Sequence, residues 1–281
     1  MGQLKELICG VVRDSAARAN GATRYRSPVI GCSSIDQGEF TRLQKSVPQH
    51  LTPEELLPGA RGLVSYFLPL EGDIDRANAC SNYVAHEWAV AYVETNELLS
   101  AIAQQLVEGL AVQGVRAAAE APTYLFDNKT LMARWSHKSI AYMTGIGSFG
   151  LHRMVITDAG CAGRFGSLVV DADFGGNAIP HRERCLYYHN GTCGLCVAWC
   201  PVSALEQNGS FDRARCYQRL LEVDAHFSDL PLTDVCGKCA VGLPCLMANP
   251  VSKGGSRPAS CSGVTISTEY PRPESGRHTQ N

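Results

Sequence analysis

Two stretches decide the reading: CLYYHNGTCGLCVAWCP (185–201) and CGKCAVGLPC (236–245), with Cys216 alone between them. They place Cys185, Cys193, Cys196, Cys200, Cys216, Cys236, Cys239 and Cys245 in one window, eight of the 13 cysteines in the chain. Eight thiolates are what two 4Fe–4S clusters require, four each, and ferredoxin-type runs space them as Cys-x2-Cys-x2-Cys-x3-Cys-Pro, the fourth serving the other cluster. Counted back from Cys200-Pro201, Cys196 and Cys193 are in register, and the next register position is Asn190, a poor iron ligand. Cys185 lies five residues earlier, near enough for a short loop to bring it in. One cluster is therefore assigned to Cys185, Cys193, Cys196 and Cys245, the other to Cys200, Cys216, Cys236 and Cys239. Zinc also takes Cys-x2-Cys pairs, but the Cys-x3-Cys-Pro ending and the isolated Cys216 suit a zinc ribbon badly. Disulfides conflict with these short spacings and with a start, MGQLKEL, that lacks the pattern of an export signal.

Outward from this module the chain reads as an α/β protein. Its 281 residues suffice for one large and one small domain. A formal net charge of −2 gives no electrostatic case for nucleic acid, and no apolar run approaches the roughly 20 residues of a membrane span. A reducing cytoplasm, in an anaerobic or oxygen-shy cell, is the expected home of so many thiolates. The periodicity predicts a helix over 4–17 and a short helix over 51–59, capped by Thr52 with Pro53 in its first turn. A buried strand is expected over 62–70, then a long helix over 82–110 starting at Ser81, and a strand over 114–119. A further helix, opened by Asn128 or Thr130, should run to Thr144-Gly145. Strands at 154–157 and 164–174 follow, and 175–184 reads as a linker.

The run GIGSFG (145–150) matches Gly-x-Gly-x-x-Gly, but it follows a helix and precedes a strand. That is the reverse of the dinucleotide-binding order, so nicotinamide binding is rejected. Gly145, Gly147 and Gly150 are read instead as a tight loop whose bare backbone can approach a bulky ligand; a plain helix-to-strand turn remains the other reading. Of the five spare cysteines, Cys161 is the one to test for reactivity, with Arg164 near it in sequence.

The run SHKSIAYMTGIGSFGLHRMVIT (136–157), the strand RFGSLVVD (164–171), LLPGARGLVSY (56–66) and the eight-cysteine module together resemble the epoxyqueuosine-reductase-like proteins, relatives of reductive dehalogenases, over roughly residues 50–250. The resemblance implies a nitroreductase-like N-terminal domain (1–178), a ferredoxin-like two-cluster module (179–252) and a low-complexity tail (253–281). It implies two 4Fe–4S clusters feeding a cobalamin, with FMN as the alternative acceptor. The glycine loop with His152 and Arg153 would contact the cofactor, and Asp127, His137 and Tyr142 are candidates for proton delivery. An electron donor such as ferredoxin or flavodoxin is expected, as is a small-molecule substrate or a corrinoid protein, with a homodimer left open. The competing functional class is a pure electron carrier that reduces another protein's corrinoid or flavin. EWAV (87–90) stands where epoxyqueuosine reductases carry an acidic–Tyr–His triplet, LHR (151–153) where they carry Lys-Asn-Thr, and a tail where they carry a tRNA-binding repeat. Epoxyqueuosine and tRNA are accordingly not expected as substrate and partner.

Overall fold

The computed structural model describes residues 2–120, 126–127, 129–175 and 182–252. The tail, the 178/179 boundary and the helix start at Asn128 lie outside them. In chain order the elements are α1 (Gly2–Ala17), β1 (Val29–Ser34), α2 (Gln37–Ser46), α3 (Pro53–Leu56), β2 (Gly62–Pro69), α4 (Gly72–Cys80), α5 (His86–Val112), β3 (Ala117–Ala118), β4 (Phe126–Asp127), β5 (Met132–Ala133), α6 (His137–Met143), β6 (Gly147–Phe149), β7 (Val155–Thr157), β8 (Gly163–Val170), α7 (Leu186–Asn190), α8 (Leu195–Ala198) and α9 (Arg213–His226). Helices and strands mix throughout, as expected of an α/β chain.

The scaffold is a four-stranded antiparallel sheet of order β1-β2-β8-β3. Every residue of β2 is buried, because both faces of the sheet are covered. Val64, Tyr66, Leu68, Leu168 and Val170 point to one face, against α1 and α5. Leu63 and Val169 point to the other, where Phe40, Trp135 and Ile140 pack on them. Phe67 and Phe165, paired across β2 and β8, stack there with centroids 4.4 Å apart. Alternation by twos along strands whose two faces are both covered explains the run at 62–68, apolar but for the buried Ser65, which pairs with the Thr144 hydroxyl.

Local signals held where they were self-contained. Thr52 accepts from the Glu55 N–H while Glu55 returns a bond to the Thr52 N–H, a complete capping box with Pro53 inside the first turn. Trp88, Tyr92, Leu99, Ile102, Leu106 and Leu110 form the buried stripe of α5. The start of that helix differs from expectation. Ser81 closes α4, its N–H donating to the Ala77 carbonyl, and α5 begins five residues later at His86. Asn78 accepts from the Ala85 N–H at 3.1 Å and holds the corner between the two helices.

Residues 131–135 are not helical. Asp127 Oδ1 accepts from the backbone N–H groups of Lys129 and Thr130, at 2.9 and 2.7 Å, and folds the segment into the β4–β5 hairpin. Such short-range side-chain bonds compete with a helix for the backbone. Ser136 instead caps α6, accepting from the Ser139 N–H.

The expected glycine loop is also corrected. Gly145, at φ 79°, ends α6, but Gly147 lies inside β6, paired with Thr157 of β7. A Cβ on Gly147 would lie 2.3 Å from Val155 Cγ1 and 2.7 Å from the Ile156 carbonyl oxygen. Protein, not an open ligand space, occupies the room that Gly147 and Gly150 leave.

Candidate functional site

The cysteine window folds as short pieces laid against the α/β scaffold. Leu151, Ile156 and Cys161 of the scaffold share an apolar cluster with Cys185, Cys196, Leu205 and Leu243. Trp88 and neighbours on α4 and α5 share another with Val223, Phe227 and Val241. Cys185 precedes α7, its N–H held at 2.7 Å by the Glu183 carboxylate. Cys193 and Cys196 flank the entry to α8, Cys200 follows it, and Cys216 lies in α9. Cys236 and Cys239 border Gly237, which sits at φ 70° directly over the Trp88 indole, where a Cβ would be 2.4 Å away. Cys245 is fixed by backbone bonds: its carbonyl and that of Leu246 both accept from the Cys161 N–H at 3.0 Å.

All eight module cysteines are free, and they gather into two neighbouring sets. Burial pushes the Cys196 thiol up to about 12, and Cys245, Cys193 and Cys185 push it the same way. Burial pushes Cys216 up to about 11, with Cys236 and Cys200 adding. Cys239 is raised by burial and then by Cys236, Cys200 and Cys216, with Cys196 contributing from the other set. A cavity of about 20 Å³ opens among Cys185, Cys193, Cys196, Cys245 and His152. Clustered, partly buried thiolates repel one another and lose hydration, and a metal centre would offset both penalties at once. The chemistry of these thiols suits a thiolate-ligated metal centre.

Each set has its own polar attendant. Lys138 is half-buried, its ammonium donating to the Arg153 carbonyl at 3.4 Å, with the charges of Arg164, Cys239 and Cys216 in reach. Lys238 donates to the carbonyls of Asn78 and Ser81 at 2.5 and 2.6 Å, capping the end of α4, and its charge faces Cys236. His152 faces Cys245.

Next to Lys138, His137 lines a cavity of about 320 Å³ between α5 and the outer edge of β8, together with Tyr66, Ala103, Gln104, Gly166 and Ser167. β3 pairs only with Val169 and Val170, so among the described residues the outer edge of β8 from Gly163 to Leu168 has no strand beside it. His137 Nδ1 lies 2.7 Å from Ser167 Oγ, which also accepts from Trp135 Nε1–H at 3.0 Å. Burial holds His137 down at about 4, and the Arg164 cation acts in the same direction, so the ring is neutral at physiological pH.

The three residues expected to move protons are not brought together. Only His137 reaches this cavity. Asp127 is spent on the β4–β5 turn, its carboxyl held low by the Thr130 and Lys129 bonds. Tyr142 sits at the far end of α6 against Phe149, with Glu39 and Arg42 nearby, its phenol raised by burial. Among the expected cofactor contacts, His152 is directed at Cys245, and Arg153 donates to the Gly209 carbonyl. Cys161 is buried, with its thiol donating to the Ala240 carbonyl at 3.8 Å.

Sequence reading missed Arg164 as a site residue. Its guanidinium stacks 4.1 Å over the Tyr92 ring, whose hydroxyl donates to Asp234, and its charge reaches His137 and Lys138. An arginine at the head of an otherwise apolar strand was the available signal.

No family model and no curated protein matches this chain. Solved structures do. An epoxyqueuosine reductase from Bacillus subtilis superposes with a TM-score of 0.55 at 17% identity, over 88% of this chain and 66% of that one. A catabolic reductive dehalogenase in complex with 3-bromo-4-hydroxybenzoic acid superposes with a TM-score of 0.52 at 13% identity, over 80% of this chain and 30% of that one. A reductive dehalogenase whose structure suggests a mechanism for B12-dependent dehalogenation gives a TM-score of 0.50 at 12% identity, over 75% and 29%. The chain thus spans just under two thirds of the length of the epoxyqueuosine reductases and under a third of the dehalogenases. Its structural neighbours are epoxyqueuosine reductases and reductive dehalogenases, and it has the fold of that group, the one its cysteine spacing and glycine run resemble.

Proposed function

We propose that the chain is an iron–sulfur reductase that carries electrons through two 4Fe–4S clusters to a corrinoid seated at the β8-edge cavity. A nitroreductase-like portion holds the acceptor and a ferredoxin-like portion holds the clusters. The observation that carries this reading is the continuity of the second cysteine set with the cavity. Cys216 and Cys239 face Lys138, and the adjacent residue, His137, lines the cavity wall. His137 and Lys138 are consecutive in α6, so a redox centre at the second cysteine set would stand beside the wall of a ligand-sized space, as electron delivery requires.

The cavity wall supports a corrinoid over a flavin nucleotide. Among the described residues its lining includes Glu108 and Glu120 and no Lys or Arg, and Arg164, whose charge reaches His137, is engaged over the Tyr92 ring, so a flavin phosphate would find little counter-charge. Ser100, Gln104, His137 and Ser167 offer neutral donors and acceptors, the kind an amide-rimmed macrocycle needs. At about 320 Å³ the described space is at the lower end of the roughly 300–1,000 Å³ of small-molecule sites. It accommodates part of a corrinoid, not the whole. When bound, a reduced corrinoid supplies the nucleophile for reductive cleavage of a small molecule. The chain's own residues orient it, hold the neutral His137 ring beside it and keep the clusters in reach. The electron donor is a low-potential protein such as ferredoxin or flavodoxin. Among the described residues no helix is long and apolar enough to cross a membrane.

Anaerobically purified protein incubated with hydroxocobalamin and gel-filtered should retain the corrinoid, read from its visible spectrum. Ala103→Trp, which fills the cavity from α5, should abolish retention and leave iron content unchanged. Cluster-loaded wild-type protein that retains no corrinoid, yet reduces a separate corrinoid protein, would identify an electron carrier instead.

A further inference from the structure

The β6–β7 hairpin is built around one imidazole. His152 is buried, and its Nδ1 accepts the Met154 N–H at 3.0 Å. With Nδ1 occupied as an acceptor, the proton of the neutral ring is on Nε2. Nε2 lies 3.4 Å from Cys245 Sγ. The turn that presents it has two unusual positions. Gly150 must lack a side chain, because a Cβ there would lie 2.7 Å from His152 Cε1. Arg153 takes φ 64° and returns its N–H to the Gly150 carbonyl at 2.9 Å. The pairing of Gly147–Phe149 with Val155–Thr157 then fixes the turn on both sides.

His152 Nε2 or Nδ1, Cys161 Sγ and Cys245 Sγ lie within 4.8 Å of one another. This trio is not a separate metal site, because Cys245 also belongs to the set with Cys185, Cys193 and Cys196. Cys161 directs its thiol at the Ala240 carbonyl. Cys161 also stands in hydrogen-bond contact with Cys245, and the imidazole is the ring N–H aimed at the same sulfur.

We infer that His152 is a positioning residue that donates its Nε2–H to Cys245 Sγ and raises the reduction potential of the cluster held by Cys185, Cys193, Cys196 and Cys245. The inference rests on the two-cluster reading above. Reduction adds negative charge that spreads onto the ligand sulfurs, so a donor at a sulfur stabilises the reduced state more than the oxidised one. Among the described residues no histidine is hydrogen-bonded to a cysteine of the second set, where the Trp88 indole lies against Gly237. There the fixed charges of Lys138 and Lys238 act instead. The two clusters are thereby tuned by different devices and can be separated by mutation.

The test is a redox titration of anaerobic holoprotein followed by electron paramagnetic resonance, begun only once iron and sulfide are found. His152→Leu should move one of the two midpoints to lower potential and leave the other in place. A tenfold change in the ratio of reduced to oxidised cluster is expected, about 59 mV for a one-electron couple. His152→Gln, whose amide can donate, should restore most of the shift. Both midpoints unmoved in His152→Leu, with iron intact, would overturn the inference. Should that variant lose its cluster, wild-type protein labelled with 15N-histidine decides the matter. A weak 15N hyperfine coupling on one cluster is expected, and its absence would overturn the inference equally. Wild-type protein devoid of iron and sulfide defeats the two-cluster reading first, and this inference with it.

Discussion

Replacing Cys239 by alanine should halve the iron of the anaerobically purified protein, from about eight to about four per chain, and stop electron flow to the cavity. Cys239 is the most connected thiol of the second set, facing Cys236, Cys200 and Cys216, and it also faces Cys196 across the gap between the sets. Its loss removes a ligand from the set beside Lys138 and His137. The first set, with Cys245 anchored to the Cys161 N–H, keeps its own four ligands and its signal. Reduction of an added corrinoid should then fail although half the iron remains. Iron that stays near eight would show that Cys239 is not a ligand. Iron that falls to zero would show that the sets do not form independently.

Gly147→Val should destabilise the whole protein by about 3 kcal/mol, the upper part of the range for overpacking a closed core. The new side chain would meet Val155 Cγ1, which can turn, and the Ile156 carbonyl oxygen at 2.7 Å, which is held in the β6–β7 ladder. For a chain of this size that corresponds to a melting temperature roughly 6–12 °C lower, measured by circular dichroism on the holoprotein. Iron should be lost in parallel, because the same hairpin carries Leu151 and His152 against the first cysteine set. A ligand-facing loop predicts the reverse outcome: an unchanged melting temperature with corrinoid retention lost. That outcome would return the glycines to the cofactor site.

The parts of this molecule that were legible in the sequence are those whose physics is local. Thr52, Pro53 and Glu55 carry a complete capping box within four residues. The short spacings of Cys193, Cys196 and Cys200 place these three around one short helix, α8, which is as local as the capping box. The α5 stripe was visible, but its start was not. Ser81 suits either end of a helix by type, and α4, whose buried positions are Ile74, Asp75 and Asn78, shows no apolar stripe. The strand expected at 154–157 is β7, but its partner β6 was hidden because it is three residues long and Gly147 is demanded by neighbours on the paired strand, not by a turn. The cavity was hidden for a related reason. Gly166 and Ser167 line it only because β3 stops after two residues and leaves that stretch of β8 unpaired, an event of sheet topology that no window of sequence records.

The account stands most directly on the content of the metal centres. Iron, acid-labile sulfide and zinc should be measured together on protein purified without oxygen. About eight irons and eight sulfides per chain, with zinc negligible, are predicted from two sets of four thiolates. About two zincs and no sulfide would satisfy the same eight cysteines with a redox-inert metal, and would contradict the account.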